Sequence, residues 1–530
     1  MMNNKEYQIT EQSFTFVQSN TTIHDTKFET KRIGYFRDAF RRFRKNKGSV
    51  VAAIIILLLI LFAIFSPIIS KHNLADRDLK YKDRAPLIRG NENGLIFDGG
   101  QTKTLSYTQY KYYKSIAADT GFDPITRIIS YKETEDAITY KVRVNSYYAI
   151  GAIWTAISKA DYQDICDYQN RTGKQVLLPY VEAYKLGNGW TPAIKYDDAP
   201  AELITGGKAR KNADGNICYS YTAQSYPVVN KATGGYNYVY SLQNESGLYH
   251  EYNSVRVASD PAKNNSSAVG YAYGKDAQGQ VEVRLCYYNY YQYKRGESPQ
   301  YIFGTDIYGK DIFYALGKGA RFSLLLAVFV SAINFILGTI YGSIEGYYGG
   351  AADMIMERVS DILSGVPLMI VVTLFNLHLA KKVGVVPAFL LAFVATGWIG
   401  TAGLVRKQFY RFKGQEYVLA SRTLGAKDFR IMFKHIFPNS LGTIVTSTVL
   451  VIPGVIGSET MLTYLGIINL SGEKVTSIGA LMADANGNFD TYPHELFFPA
   501  LFLSLLMISF NLFGNGLRDA FNPALRGVDE

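Results

Sequence analysis

Few residues of this sequence have the types and spacing that catalysis requires. The 530 residues include six His and three Cys, and no Cys/His cluster has the spacing of a metal site. Neither a G-x-S-x-G nucleophile motif nor a Gly-rich phosphate loop occurs. Carboxylates are abundant, but a single sequence does not show which of them share a cleft. We therefore predict that the chain is not an enzyme and that it binds no metal or cofactor itself.

Glu459 is the one notable ionisable residue in the apolar half of the chain, at the end of a long apolar run. An ionisable group in a membrane-spanning segment is a candidate functional residue. Near an interface it could equally cap or hydrogen-bond a neighbouring helix. A proton-coupled carrier would place several such groups at mid-depth, and the sequence does not. If the chain is a transporter, we expect its energy to come from another subunit.

The apolar residues are concentrated in runs long enough to cross a bilayer, which takes roughly 20 residues. Six runs contain no Asp, Glu, Lys or Arg: 50–69, 322–344, 362–380, 383–405, 436–458 and 496–517. The first run is too long for a signal peptide and lacks a cleavage site, so we expect it to remain as a span. The sequence predicts a polytopic α-helical membrane protein with six transmembrane helices.

Basic residues in two short segments predict the orientation of these spans. Residues 31–47 carry a net charge of +7 and residues 406–440 carry +6. The positive-inside rule places both segments and the two termini in the cytoplasm, and residues 71–320 outside. The chain's net charge of +10 therefore indicates membrane topology, and we expect no nucleic-acid partner.

A short segment before the first span has an amphipathic pattern. Ile33, Phe36, Phe40 and Phe43 recur at helical spacing among basic residues. One interpretation is a helix that lies in the lipid headgroup layer. The other, given equal weight, is a cytosolic helix that packs on its own protein.

Residues 71–300 differ in composition and predict a folded α+β extracellular domain. They hold 29 of the 41 Tyr and all three cysteines. Alternation predicts strands at 137–148, 236–242, 249–257 and 270–273, a hairpin continuing through 281–293, and a helix at 150–170. The Tyr content suits a binding face, although a β-rich surface is favoured. In an oxidising compartment one disulfide could form among Cys166, Cys218 and Cys286, with all three pairings open.

The basic segment between the fourth and fifth runs contains a structured loop. Residues 414–434 predict two short amphipathic helices that are broken at Gly425 and end before Pro438. Ala420 and Gly425 are small enough for another surface to approach closely. Such a loop could dock a cytosolic motor.

Several motifs identify the chain as resembling the dipeptide/oligopeptide permease family of ABC importers. Residues 416–426 and 434–439 resemble the family's cytoplasmic "EAA" loop, and 304–311 with 319–324 resemble its G-T-D-x-x-G-R-D … G-A-R-x-S-L segment. Residues 346–367, 459–466 and 511–519 are also similar, so the resemblance covers 300–526 and the first span. The loop positions are Glu416, Leu419, Ala420, Ser421, Gly425, Ala426, His435 and Pro438. The remaining motif positions, for which we expect scaffold roles, are Gly304, Thr305, Asp306, Gly309, Asp311, Gly319, Arg321 and Glu459.

The resemblance implies a C-type permease subunit with a type I ABC importer fold in a bacterial cell membrane. It implies a B-type second permease, two ATPase subunits that use ATP and Mg²⁺, a peptide-binding protein outside, and peptide as substrate. One ATPase subunit would fit the loop at 413–437. Leu419 stands where the family has its namesake Glu, and Ser421 where it has Ala. Peptide and nickel-chelate substrates remain open alternatives.

The predicted organisation is therefore a cytoplasmic tail with an interfacial helix at 1–48, a first span at 49–70, the insertion at 71–300 and a permease core at 301–526. The family usually joins the first span to the Gly-Thr-Asp segment by a much shorter stretch, so residues 71–300 look like an insertion on which the resemblance is mostly silent. We expect it to dock the binding protein or to shield the mouth of the pathway. A different interpretation is a membrane-anchored receptor whose outer domain senses peptide or cell-wall ligands.

Overall fold

The computed structural model describes residues 35–92, 94–134, 138–178, 280–472 and 475–521, and, between 180 and 270, the backbones of separate strands. The helices are α1 (Tyr35–Lys45), α2 (Lys47–Ile69), α3 (Tyr107–Thr120), α4 (Lys159–Thr172), α5 (Tyr287–Arg295), α6 (Ile312–Tyr348), α7 (Gly350–Ser364), α8 (Leu368–His378), α9 (Ala380–Val383), α10 (Val385–Gly397), α11 (Ile399–Phe412), α12 (Glu416–Thr423), α13 (Asp428–Arg430), α14 (Phe437–Tyr464), α15 (Ile478–Asn486) and α16 (Pro493–Phe521). The strands are β1 (Gly100–Ser106), β2 (Ile125–Glu133), β3 (Ile138–Asn145), β4 (Ala152–Ile157), β5 (Leu177–Leu178), β6 (Tyr180–Leu186), β7 (Gly189–Lys195), β8 (Ala209–Lys211), β9 (Asn216–Tyr219), β10 (Tyr226–Val229), β11 (Tyr236–Val239), β12 (Val255–Ala258), β13 (Val269–Gly270) and β14 (Val281–Cys286).

Five helical stretches in the described part of the chain are long and apolar enough to cross a membrane. They are α2, α6, α10 with α11, the continuous helix Asp428–Tyr464, and α16. The third predicted span, 362–380, is not one straight helix. It falls on the end of α7 and on α8, which are bent by 74°. Pro367 lies at the bend, and it lacks the N–H that would continue the helical ladder. The pair counts as a sixth, broken span or as a re-entrant loop.

Backbone-to-backbone contact between α6 and α11 forms the centre of the helical bundle. Gly338, Gly342 and Gly346 recur every four residues on α6 and so line one face. A Cβ at Gly342 would overlap the carbonyl oxygen of Ala402, and one at Gly346 would meet the carbonyl oxygen of Arg406. Small residues are the usual means by which spanning helices approach this closely.

The inserted region contains two small antiparallel sheets next to the helices, in the orders β1-β3-β2 and β4-β14-β5. The predicted hairpin is wrong, because β14 pairs with β4 and β5 and the chain then forms α5 from Tyr287. The predicted helix at 150–170 is also partly wrong. Its first part is β4, and the helix begins after Ser158, whose side chain accepts from the Asp161 amide at 3.0 Å. The local pattern of apolar residues in these segments fits both a helix and a strand. Pairing with distant strands determined which of the two structures forms.

The tyrosines nearest the helices form an aromatic core. Tyr81, Tyr147 and Tyr301 are almost fully buried, and the ring of Tyr81 contacts both others edge-on. Burial raises the pKa of all three phenols. Tyr287, Tyr288 and Tyr291 on α5 complete the cluster. The tyrosines of this cluster therefore pack in a core. They form neither an exposed binding face nor the surface of a β-sheet.

The amphipathic segment forms α1 and packs partly on the protein itself. Ala39 and Phe43 are buried, with the Phe43 ring 5.4 Å from that of Phe513 on α16, whereas Phe40 is exposed. Ile33 lies outside the described residues. Cys166 and Cys286 form no disulfide with each other, and the side chain of Cys218 lies outside the description, so a disulfide involving Cys218 stays a prediction.

Replacement of Gly342 by Val should disrupt the α6–α11 contact. The new side chain meets backbone that cannot move without separating the helices, and overpacking of this kind costs about 1–3 kcal/mol or more. We expect a lower apparent melting temperature of the purified protein in detergent. Gly400→Val on α11 is the control, because a Cβ there meets nothing within 4 Å. Equal melting temperatures for the two variants would contradict the role given to this contact.

Candidate functional site

The predicted loop connects α11 to α14 at one end of the bundle, called here the loop end. Gly425 follows α12 with φ of +79°, a conformation that favours glycine. The second short helix does not end at Pro438, as the sequence predicted. It continues from α13 through a π-helical turn, Ile431–Ile436, into α14, with Pro438 in the first turn of α14. Proline is tolerated there because first-turn amides lack intrahelical partners.

One face of the loop is buried against the bundle. Val418, Ile431 and Ile436 are fully buried and pack with Val405 and Phe409 of α11. The apolar face therefore fixes α12 and the π-helical turn to the ends of the spanning helices.

The other face of the loop is exposed and carries large apolar side chains. Leu424 is 88% exposed and Phe429 is 74% exposed. Leu419, at the family's Glu position, is also exposed. Exposed large apolar groups that cluster on a rigid element usually mark an interaction surface. The structure places Glu416, Ala420 and Gly425 on the exposed part, with Ser421, Ala426 and His435 half-buried.

Arg406 lies behind the loop and joins three helices. Its guanidinium bonds Asp353 at 2.6 and 3.0 Å and Glu357 at 2.7 and 2.9 Å, and it lies 3.4 Å from Glu345. The Tyr410 hydroxyl donates to Asp353 at 2.5 Å. Arginine suits this position because its planar fork can bond two carboxylates at once.

Polar contacts also join the loop directly to the end of α6. The Tyr347 hydroxyl donates to Asp428 at 2.6 Å and accepts from Arg422 at 3.2 Å. Lys413 donates to the carbonyl oxygen of Gly346 at 3.0 Å. These three contacts fix the loop to the end of α6.

Glu459 lies near the opposite end of the bundle and is buried among hydroxyl groups. Ser323 donates to its carboxyl at 2.8 Å and Thr463 at 3.2 Å. Close backbone contacts draw the surrounding helices together, since a Cβ at Gly319 would meet the backbone of Ser477 and one at Gly479 would meet Thr460. Glu459 thus bonds a hydroxyl of the neighbouring helix α6, while a functional role for it stays a prediction.

The Gly-Thr-Asp turn at the same end holds the segment that follows the first span. Thr305 donates to the carbonyl oxygen of Tyr81 and accepts from the Arg84 amide at 2.8 Å. Gly304 and Gly309 have positive φ, and a Cβ on either would overlap backbone oxygen, of Arg84 and Asp78 respectively.

Two carboxylates of this turn bind backbone amides. Asp306 accepts from the amides of Tyr308 at 2.9 Å and Lys310 at 2.8 Å. Asp311 caps α6 by accepting from the Phe313 amide at 3.0 Å and also from the Ser70 hydroxyl at 2.7 Å. Burial raises the pKa of Asp311, and it raises that of Asp306 from 3.8 to about 6.

Arg321 compensates for a proline in the first span. Pro67 has no N–H, so the carbonyl oxygen of Ala63 lacks its helical donor. The Arg321 guanidinium donates to this oxygen at 3.3 Å and to that of Ile64 at 2.8 Å. The motif arginine therefore binds α6 to α2.

The comparisons with known proteins fit this arrangement. The family described as binding-protein-dependent transport system inner membrane component matches residues 334–527, and the N-terminal TM domain of oligopeptide transport permease C matches 34–86. The oligopeptide transport system permease protein OppC of Bacillus subtilis is 42% identical over 229 residues, which cover 43% of this chain and 73% of that protein. This chain belongs to the oligopeptide/dipeptide ABC permease family.

Other relatives of the permease are the dipeptide transport system permease proteins DppC of Bacillus subtilis and of Lactococcus lactis. They are 40% and 38% identical, covering 43% of this chain and 70% and 65% of their own lengths. Among solved structures, an inward-facing MetNI methionine ABC transporter chain aligns with 16% identity and a TM-score of 0.33, covering 40% of this chain and 98% of that one. The two family models leave residues 87–333 of the permease unmatched.

The residues that connect the motifs could not be recognised from the sequence. Arg406 was counted only as a positive charge, and Asp353 only as part of a motif, because their contact spans 53 residues of chain. Ser323 was likewise not recognised as a partner of Glu459. Among the described residues, no group of three or more His, Cys, Asp or Glu could hold a metal ion.

The pKa of Asp306 predicts how stability depends on pH. The folded state holds this proton more tightly than the unfolded state, so the stability contributed by the protonated carboxyl is lost as pH rises through about 4 to 6. Asp306→Asn keeps the acceptor oxygen and removes the charge. Above pH 6 the variant should be at least as stable as the native protein, with an advantage of up to about 3 kcal/mol that disappears by about pH 4.

The measurement is the apparent melting temperature of both purified proteins between pH 4.5 and 7.5. Asp306→Ala is the control, because it loses both amide contacts and should be less stable than Asp306→Asn at every pH. A difference between the native protein and Asp306→Asn that does not change with pH would contradict the assignment.

Proposed function

We propose that this permease is one of two membrane subunits of an ATP-driven peptide importer and that its loop at 413–437 docks an ATPase subunit. The single observation that supports docking most directly is the division of the loop into two faces. Val418, Ile431 and Ile436 anchor it, while Leu424 and Phe429 remain exposed. An anchored element with an exposed apolar tip suits a partner that must push on the bundle without unfolding the loop.

Leu419 changes the chemistry of this contact without removing it. The family's Glu would offer a charged acceptor, whereas Leu419 adds apolar area beside Leu424 and Phe429. Glu416 still supplies an exposed carboxylate one turn earlier. We therefore propose that the ATPase cleft facing this loop is more apolar than is usual for the family. ATP and Mg²⁺ would be bound by the ATPase subunits alone.

The mechanical path from the loop to the pathway runs through α6 and α11. ATP-driven closure of the two ATPase subunits would displace α12 and the π-helical turn. The contacts of Tyr347 with Asp428 and Arg422 would pass this displacement to α6. Arg406 would move α7 and α11 with it. The arrangement supports rocking of the spans as one body about the opposite end.

The orientation and the substrate follow from the same proposal. The basic α1 and the loop lie at one end of the spans, which we assign to the cytoplasm of a bacterial cell. The inserted region would then face outward, where it would contact a peptide-binding protein or shield the pathway mouth. The relatives are named for oligopeptide and dipeptide transport, so we propose peptides as the cargo.

Charging the exposed tip of the loop should separate docking from folding. In Leu424→Asp with Phe429→Asp, the exposed apolar surface is lost, while the buried residues Val418, Ile431 and Ile436 are retained. We expect loss of the ATPase subunits on affinity purification from membranes and loss of ATP-dependent peptide uptake, with unchanged amounts of permease. Ile128→Asp, a change at an exposed residue of β2, is the control and should retain both. Retained ATPase subunits in the double variant would refute docking at this loop.

A bulky residue at Gly425 should uncouple transport without preventing assembly in the membrane. Its φ of +79° costs a β-branched side chain about 1–2 kcal/mol or more, although no neighbour lies within 4 Å of its Cβ position. We expect Gly425→Val to reduce ATP-dependent uptake strongly at normal expression. The matched control is Gly414→Val, where space is equally open and φ is not positive. Equal uptake by the two variants would show that the turn geometry is unimportant.

A further inference from the structure

Hydrogen bonds join the described residues, 88–92 and 94–97, of a short loop between the first span and β1. The 88–97 loop closes where the Ile88 amide donates to the carbonyl oxygen of Phe97 at 2.9 Å. Within it, the Gly94 amide donates to the Asn91 carbonyl oxygen at 2.9 Å, and the Asn91 side chain donates to that of Ile96 at 2.6 Å. These bonds satisfy backbone oxygens near the tip that would otherwise require water.

The tip of the 88–97 loop carries two of the most exposed large apolar side chains in the described part of the chain outside the spans. Leu95 is 72% exposed and Ile96 is 69% exposed, and they are adjacent in sequence. Ile88 at the base of the loop is also exposed. Packing within the chain does not account for this position of two large aliphatic groups.

Phe97 places the tip beside the outer part of the last span. Its ring lies 6.4 Å from that of Phe498, and Phe498 stacks at 4.0 Å on Phe303. Phe498 is in the second turn of α16, at the start of the charge-free stretch that begins at 496. The base of the loop therefore lies beside the start of the charge-free stretch of this span.

An exposed apolar surface of α16 begins at Phe497, the neighbour in sequence of Phe498. A stripe of exposed large side chains runs down this helix: Phe497, Leu501, Leu505, Ile508 and Leu512. In the most apolar stretch of α2 only 22% is buried within the protein, and in that of α16 only 28%. The corresponding stretches of the other straight spans are 39–44% buried. These two helices are peripheral, so lipid is the natural neighbour of their outer faces.

We propose that the 88–97 loop inserts Leu95 and Ile96 into the bilayer leaflet at the N-terminal end of α16. The loop would anchor the inserted region to the lipid surface and fix its height above the spans. Satisfied backbone oxygens and an aliphatic tip suit the interface, where apolar groups enter roughly 5–10 Å. The loop lies outside both family matches, so this contact belongs to the insertion of this chain.

The test places an environment-sensitive fluorescent amino acid at position 95 of the full chain. The importer complex is reconstituted in phosphatidylcholine/phosphatidylglycerol vesicles, with or without nitroxide groups on the acyl chains. We expect blue-shifted emission and quenching by the acyl-chain nitroxides. The same probe at Ile128, an exposed residue of β2, should show neither effect. Equal quenching at both positions, or none at position 95, would overturn the proposal.

A photo-crosslinking amino acid at position 95 distinguishes lipid from a protein neighbour. Irradiation of the same vesicles should give lipid adducts of the permease, identified by mass spectrometry. Adducts to the second permease subunit or to the binding protein, without lipid adducts, would show that position 95 contacts protein and not lipid. That result would overturn the proposal. Because nitroxide lipids occupy both leaflets, the outcome does not depend on which end of the spans faces the cytoplasm.

Discussion

The contact between α6 and α11 is the constraint on which the rest of the permease depends. With Gly342 and Gly346 at the interface, the two backbones touch, and no intervening side chain can rearrange between them. This proximity brings Arg406 to the carboxylates at the end of α6 and in α7. The loop is then seated on a surface made by both helices. Glycine packing in the bundle and ionic contacts at its end are thus successive consequences of one close approach.

The two ends of the bundle are held by different chemistry. At the loop end, charged side chains bind one another, and part of each remains accessible to water. Around Glu459 and the Gly-Thr-Asp turn, hydroxyls and backbone amides surround buried carboxyls, and Arg321 binds two carbonyl oxygens of the first span. Buried carboxyls need such donors because desolvation otherwise disfavours them. The loop end thus keeps charged groups accessible to water, whereas the other end holds three helices and the segment after the first span together through buried hydrogen bonds.

Sequence reasoning succeeded where a single stretch of chain carries the signal. Apolar runs identified the spans, and the motif at 416–426 located the loop with its break at Gly425. It failed where distant segments decide the outcome. The break at Pro367 lies inside a continuous apolar run, so the run alone did not reveal it. β14 pairs with β4, which lies more than a hundred residues earlier in the chain. Arg406 shows the same limit of prediction from sequence. Its positive charge is evident from the sequence, but its bond to Asp353, 53 residues away, is not.

The hydrogen bond between Ser70 and Asp311 has a consequence for the length of chain that the first two spans can tolerate between them. These residues end the first span and cap the next one, and the 2.7 Å contact brings the two ends of the insertion to one point. A segment that leaves and returns at one point can lengthen or shorten without displacing the spans, since closing a longer loop adds little entropy cost. The two spans can therefore keep their relative positions whatever the size of the segment that joins them, which in this chain exceeds two hundred residues.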